Sequence, residues 1–389
     1  MRRHYHTYGF YGIFFLASLL SFGSIHSQTQ SLDRDLSSIH LSHLYNNVLR
    51  HNRIVDVKTE YVNRENFIKG LYLTAQTAGS KRLADFIELA NKTEINAFVI
   101  DGKNPNGSLP FIPEDESLKD YSEKNKMPLK NLNEILKDLK KNNIYSIARI
   151  IIFLDPFYAS KHPDLIFYNK NKQPWKDFNG NKWLNPVNQQ MWDYNVRVAK
   201  ELHERGFDEI QFDYIRFPSD GVIRDLTWTH KGTKEETMRD FFKYLHAELR
   251  EKENIKISAD LFGLTFNMTE FDLNIGQRLE YAAPYFDAIS PMVYPSHYPT
   301  GYMGFKNPAN YPYEVIYQAM EKGKPIYKKL GLPFTARPWI QAFDMGALYN
   351  RERTRLQMQA IEDAEGAGWI LWNARNEYKS EILDEEIQK

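Results

Sequence analysis

The 389 residues include no cysteine. Disulfides, thiolate metal sites, a cysteine nucleophile and lipid attachment through an N-terminal cysteine are therefore excluded. Neither sign of charge is in excess. Fifty basic and fifty acidic residues give a formal net charge of zero, so nothing draws the chain toward nucleic acid or an anionic membrane surface. The 11 histidines are scattered, and the one His-X-His, His4 and His6, lies at the extreme N-terminus. No metal site is expected, and no cofactor. A Gly-X-Ser-X-Gly nucleophile elbow is lacking. So is a glycine-rich phosphate turn after the first strand candidate, where the residues are Ala75-Gln76-Thr77-Ala78-Gly79-Ser80. Phe343-Asp344-Met345-Gly346 and Asn373-Ala374-Arg375-Asn376 are equally poor phosphate loops.

The chain does carry an export-like start. Arg2 and Arg3 precede an apolar run over residues 9–22, and small and polar residues follow over 23–28. That order is the order of a secretory signal, with a cut after Ser27. A run this short falls below the roughly 20 residues of a spanning helix, although a retained N-terminal anchor is the alternative. Either way the body of the protein is expected outside the cytoplasm, secreted or periplasmic. We divide the chain into a signal segment or anchor at 1–27, a polar lead-in at 28–66 and one domain at 67–389.

Within that domain, short apolar, β-branched runs alternate with amphipathic stretches. Strands are expected at 70–74, 96–101, 144–152, 209–214, 256–260, 288–293, 337–343 and 369–372. Helical patterns occupy 83–92, 132–141, 189–205, 238–252, 314–320 and 351–365. Eight strands alternating with helices imply parallel pairing and a single (β/α)8 TIM barrel, with an open doubly wound sheet as the competitor. Connections into strands are short, whereas those leaving strands three, four and six are long and aromatic. A barrel builds its site at that C-terminal face.

Side chains alternate across a strand with period two. Phasing the apolar set outward turns Ile210, Phe212 and Tyr214 toward the helices and Gln211 and Asp213 into the pore. Strand five likewise sends Ile257 and Ala259 outward, and Ser258 and Asp260 inward. Asp101 then ends strand two, and Arg149 lies on the pore side of strand three. Tyr294, Gln341 and Asn373 end strands six to eight. Buried carboxylates are costly unless paired, so three at one mouth call for a function or for an internal ion-pair network around Arg149 and Arg216.

Glycosidic cleavage is the chemistry that uses two carboxylates in an aromatic-lined groove: an acid protonates the leaving oxygen while a carboxylate attacks carbon or activates water. Aromatics make up 14% of the chain. Their faces stack on sugar rings, but they also fill cores. The candidate catalytic residues are Asp213 as nucleophile or base, Asp260 as the favoured acid and Asp101 as the alternative. Lys103, Arg149, Arg216, Tyr294 and Gln341 would orient sugar hydroxyls or tune the acids, with Asn373 beside them. Trp175, Trp183, Trp339 and Trp372 are candidate platforms. His297 follows strand six near the mouth, where a plain loop histidine is the simpler reading.

One segment is distinctive: Gly206-Phe207-Asp208-Glu209-Ile210-Gln211-Phe212-Asp213-Tyr214-Ile215-Arg216-Phe217-Pro218-Ser219. It resembles the hallmark of a bacterial barrel family grouped with the glycosyl hydrolases. Val99-Ile100-Asp101-Gly102-Lys103, Ser258-Ala259-Asp260-Leu261-Phe262-Gly263, Ile289-Ser290-Pro291-Met292-Val293-Tyr294-Pro295-Ser296-His297-Tyr298, Arg337-Pro338-Trp339-Ile340-Gln341 and Trp369-Ile370-Leu371-Trp372-Asn373 match in the same order. The resemblance spans 69–378 and implies a TIM barrel related to the α-amylase and α-galactosidase barrels. The chain departs from the pattern at Gly102, where a larger residue is expected. It departs again at Ala342, where an acid is expected, with Asp344 two residues on. No glutamate ends strands four and seven, so the two-glutamate mechanism is not supported. The primary expectation is a glycoside hydrolase acting on an extracytoplasmic polysaccharide. A non-catalytic carbohydrate-binding barrel and a hydrolase of envelope amides or esters are the competing classes.

Overall fold

The computed structural model describes residues 67–228 and 232–385. The expected signal segment and lead-in lie outside the described residues. Eight parallel strands close into a barrel. They are β1 (Ile68–Leu73), β2 (Ala97–Asp101), β3 (Tyr145–Ile151), β4 (Glu209–Asp213), β5 (Lys256–Phe262), β6 (Ala288–Met292), β7 (Trp339–Gln341) and β8 (Gly368–Trp372). Each pairs with its sequence neighbour, and β1 pairs with β8 through Gly70 opposite Ile370 to shut the ring. Gly368 sits at that seam with φ +142°, where an added Cβ would stand 2.3 Å from the Ile68 carbonyl oxygen. The seam admits only glycine there. All eight expected strands are present, and the closed barrel excludes the open sheet.

Among the described residues, six helices of at least ten residues cover the outside: α1 (Arg82–Lys92), α2 (Leu132–Lys141), α3 (Gln189–Arg205), α4 (Lys234–Leu245), α5 (Pro312–Leu330) and α6 (Arg351–Asp363). Thr233 and Glu236 close a reciprocal capping box at the start of α4, satisfying two amides left open by the first turn. Helix α5 runs well beyond the expected 314–320. Gly323 and Pro325 resemble breakers in sequence, yet both lie inside it. Gly323 is a packing requirement, because a Cβ there would fall 2.3 Å from the Phe266 ring. After β5 only short helical turns occur, Leu264–Asn267 and Leu279–Ala282. Among the described residues no helix is long and apolar enough to cross a membrane.

The apolar outward set of the strands, including Ile210, Phe212, Ile257 and Ala259, packs with the helices in one large core. A second cluster of Tyr72, Val99, Ile147, Tyr294, Trp339 and Ile370 fills the pore. Below it, at the N-terminal end of the barrel, Glu209 and Arg337 form a buried ion pair. Ser258 donates to Glu209 and completes the base. The long loop after β3 is held by a ribbon in which Tyr168–Asn169 pairs antiparallel with Leu226–Thr227 from the loop after β4.

Candidate active site

Arg149 is the hub of the mouth. Strand parity carries it into the pore from β3, and its register partner on β2 is Asp101. Its Nη1 donates to Asp101 Oδ1 at 2.7 Å. Its Nη2 and Nε donate to Asp213 Oδ2 at 2.5 and 3.1 Å. Asp260 Oδ2 lies 3.9 Å from Nε. Sharing Nε puts the Asp213 and Asp260 oxygens at most about 7 Å apart, the sum of the two legs, no wider than the roughly 9.5 Å limit for paired carboxylates in glycosidases. The structure thus brings Asp101, Arg149, Asp213 and Asp260 together as the strand phase predicts.

The three acids are not equivalent. Asp213 accepts a 2.6 Å bond from the Tyr214 amide through its Oδ1, and Tyr214 has φ +54°. A left-handed backbone at a bulky residue is strained, and here it turns that amide onto the carboxylate. The side chain of Asp213 is 10% exposed, against 2% for Asp101 and 1% for Asp260. Asp260 Oδ1 accepts from Gln211 Nε2 and Trp339 Nε1, both at 2.7 Å. Its Oδ2 is buried without a hydrogen-bond partner. Burial, then the neighbouring Asp213, pushes the Asp260 carboxyl well above its ordinary range, which disfavours its charged form. Burial also raises Asp101, against the pull of Arg149. Burial opposes the Arg149 charge, but Asp213 and Asp101 more than offset it and keep the guanidinium protonated.

The other half of the mouth is aromatic. Tyr72 on β1 donates its hydroxyl to Asp101 Oδ2 at 2.7 Å, and its ring stacks on Trp372 at 6.2 Å and meets the Trp339 edge at 6.1 Å. Tyr294 lies 5.8 Å from Trp372 and 6.0 Å from Phe343. Phe343 meets Trp372 edge-on at 5.3 Å. His297 packs on Tyr294 at 5.3 Å, and burial lowers its pKa, leaving it neutral at pH 7. Trp372 and Phe343 are half-buried, so this wall keeps open ring surface. Burial, then Asp260 and Asp213, raises the Tyr294 hydroxyl above its ordinary range.

Several expected site residues are placed elsewhere. Lys103 does not face the mouth. It is fully buried and donates to Asp155 Oδ2 at 2.6 Å, the Ile151 carbonyl and Asn195. Gly102 beside it, where a larger residue was expected, packs so closely that a Cβ would lie 2.8 Å from Leu202. Trp175, Trp183 and Trp339 are buried and cannot act as open platforms. Trp175 Nε1 donates to the Val222 carbonyl at 3.1 Å, and Trp183 Nε1 to Asp177 Oδ2 at 3.0 Å. Gln341 and Asn373 are engaged by backbone: Gln341 Nε2 donates to the Phe343 carbonyl, and Asn373 Nδ2 to those of Ala342 and Glu377. Asp344 is exposed and accepts from the Tyr349 amide at 2.7 Å. Arg216 Nη1 donates to the Phe217 carbonyl at 3.0 Å and to Ser219 Oγ at 2.9 Å. Its guanidinium lies over the rings of Phe262, Trp183 and Tyr214 at 4.7, 4.9 and 5.4 Å. Tyr72, Phe343 and Glu209 were missed. Both faces of β1 are apolar, so parity alone gives no signal for Tyr72. Among the described residues no group of acids and histidines is arranged to hold a metal ion.

A family model described as "Putative glycosyl hydrolase domain" matches residues 70–378. Among solved structures, the glycoside hydrolase domain of PgaB (BpsB) from Bordetella bronchiseptica superposes with a TM-score of 0.58. It is 12% identical, over 83% of this chain and 100% of that one. Amy13B of Eubacterium rectale gives a TM-score of 0.50 at 11% identity, over 80% of this chain and 66% of its own. A hypothetical protein from Ruminiclostridium thermocellum ATCC 27405 is 36% identical over 49% of this chain and 96% of its own, with a TM-score of 0.44. No curated protein matches the sequence. The first two likenesses bear on the fold.

Proposed function

We propose, for a chain that belongs to the family described as "Putative glycosyl hydrolase domain", that the barrel mouth cleaves glycosidic bonds of a polysaccharide with Asp213 as the reacting carboxylate. One observation carries the reading: three carboxylates converge on a single guanidinium and face an open aromatic wall. A purely structural cluster would match its charges. This one holds more acid than base, and Asp213 is its most exposed carboxylate. A sugar lying against Trp372 and Phe343 would present its apolar face to the wall and its ring carbons to the acids. Asp213 would then attack the anomeric carbon, or take the proton of an attacking water. Arg149 fixes its orientation. Asp260 and Asp101, raised in pKa and sealed behind it, hold down the local negative charge. The sealing of Asp260 weighs against its expected role as the acid. An extracytoplasmic substrate is part of the proposal, on the pattern of residues 1–27.

The test is a panel of polysaccharides and oligosaccharides assayed for released reducing ends. For any substrate the wild type cleaves, Asp213→Asn is expected to lower kcat by roughly 10²–10⁴-fold. Full activity in that variant overturns the assignment. Glycan binding without turnover by the wild type, unchanged in Asp213→Asn, identifies a binding barrel instead.

A further inference from the structure

Arg216 brings a second guanidinium to the mouth, and its contacts are of another kind from those of Arg149. It is 7% exposed, as Asp213 is, and a buried charge is costly unless it is paired. Among the described residues its hydrogen bonds leave from Nη1 alone, to the Phe217 carbonyl and to Ser219 Oγ. The rings of Trp183, Tyr214 and Phe262 cage the rest of the group. Ring faces favour a cation and fix where the guanidinium stands, but they leave its other N–H groups without an acceptor.

Strand parity places that group over the acids. Along β5, Ser258, Asp260 and Phe262 alternate with Ala259 and Leu261, which lie in the outer core. Phe262 therefore points the way Asp260 does, about 7 Å farther out along the strand. Its register partner on β6 is Met292, which packs on the pore cluster and confirms the face. Phe262 is half-buried, and the Arg216 Cζ lies 4.7 Å from its ring. The same carbon lies 5.4 Å from the ring of Tyr214, the residue that follows Asp213. The guanidinium thus stands at the β4 and β5 ends of the mouth, one step outside Asp260.

Nη1 is engaged and the opposite edge is not. Nε–H and Nη2–H are parallel donors in one plane, the edge with which a guanidinium takes a carboxylate. Arg149 shows that edge in use, with Nε and Nη2 both on Asp213. On Arg216 neither nitrogen has an acceptor among the described residues. Nor is either sealed off. The buried nitrogens left without a partner include Arg278 Nε and Arg337 Nε, but not these two. Nearby carboxylates are engaged elsewhere. Asp213 accepts from Arg149 and from the Tyr214 amide. Asp177 accepts from the amides of Asn179 and Asn181, from Asn181 Nδ2 and from Trp183 Nε1.

We propose that Arg216 is a specificity residue whose Nε–Nη2 edge receives a carboxylate of the glycan, on a sugar lying over the β4 and β5 ends. The proposal rests on the glycosidase reading above and narrows its substrate to an acidic polysaccharide containing uronic acid. A carboxylate in that fork is the partner the caged charge lacks. It fixes the sugar beside Asp213 and so sets which glycosidic bond lies over the acids. The resulting pair is neutral, so it adds no negative charge to the three aspartates. A lysine would not serve equally, because its point charge has no planar fork.

The test uses oligosaccharides of polygalacturonate, alginate and hyaluronate, each beside its carboxyl-reduced form, in which the uronic acid has become a neutral sugar. Calorimetry reads binding, and released reducing ends read cleavage. The wild type should bind at least one acidic member about 10–100-fold more tightly than its reduced form, as a charge-assisted pair allows. Arg216→Lys keeps the charge, loses the fork and should cut that ratio by about tenfold. Arg216→Gln should bring it close to one. A merely structural Arg216 would weaken both forms and leave the ratio standing, which overturns the proposal. A wild type that treats both forms alike, or binds neither, overturns it without any variant, so a variant that fails to fold does not shield it. Cleavage confined to neutral glycans overturns the proposal and leaves the glycosidase reading intact. Acid-selective binding without cleavage does the reverse.

Discussion

The base and the mouth of this barrel bury the same residue types and treat them oppositely. At the base, one glutamate meets one arginine: Arg337 Nη1 donates to Glu209 Oε2 at 3.2 Å, and Ser258 and Tyr145 add donors. Burial raises Glu209, but Arg337 more than offsets this and holds it below its usual range. At the mouth three aspartates share one arginine, and burial pushes Asp260 and Asp101 above their usual range. The base is what an internal ion pair looks like when charges match. The mouth carries surplus acid, which costs stability unless protons or substrate relieve it. That difference is the physical ground for reading the mouth, and not the base, as a site.

The comparison can be broken by removing each arginine. Arg337→Met strands the buried Glu209 charge and should cost about 3–5 kcal/mol in urea unfolding at pH 7. Arg149→Met should cost less, because Asp101 and Asp260 can stay neutral and Asp213 reaches solvent. Its cost should shrink further at pH 5. Equal costs for the two variants would remove the distinction. A smaller effect sharpens the aromatic side: Trp372→Ala should raise KM about tenfold with kcat little changed, since a ring contact is worth roughly 1 kcal/mol beyond area. Tyr72→Phe removes the bond to Asp101 Oδ2 and should lower stability by about 1 kcal/mol by thermal or urea unfolding.

The smallest effect is one of sign. Asp260 has a raised folded pKa, so its contribution is fully present below the unfolded carboxylate range and is lost as pH rises through the folded value. Glu209 has a lowered one, so its contribution is present above the unfolded value and is lost as pH falls through the folded value. Melting curves from pH 4 to 8 should therefore show Asp260→Asn gaining on the wild type toward alkaline pH. Glu209→Gln should gain on it toward acid pH. Parallel curves would contradict both assignments.

Much of this was legible in the chain. The eight strands stand out because each is a short β-branched run between helical patterns. The phase of β4 and β5 is readable because polar Gln211, Asp213, Ser258 and Asp260 alternate with apolar neighbours. That alternation places two of the three acids, Asp213 and Asp260, on the pore side; the apolar faces of β2 and β3 leave the phase of Asp101 and Arg149 open. Legibility fails where both strand faces are apolar or where a polar group serves the backbone. Tyr72 lies in a strand whose two faces read alike. Lys103 follows the end of β2, where parity lapses, and its partner Asp155 lies 52 residues on. Gln341 and Asn373 end strands as a ligand-binding amide would, but Gln341 bonds to the Phe343 carbonyl of its own loop and Asn373 to the Ala342 carbonyl beyond β7 and the Glu377 carbonyl. Trp175 and Trp183 lie in a long aromatic loop, and composition does not separate a ring that supports a loop from one that meets a sugar.

The central claim, that the surplus acid at the mouth does chemistry through Asp213, is tested most directly by comparing binding and turnover of one oligosaccharide. Wild type and Asp213→Asn should bind it with similar affinity by calorimetry, while kcat falls by roughly 10²–10⁴-fold in the variant. Unchanged kcat in Asp213→Asn would contradict the account.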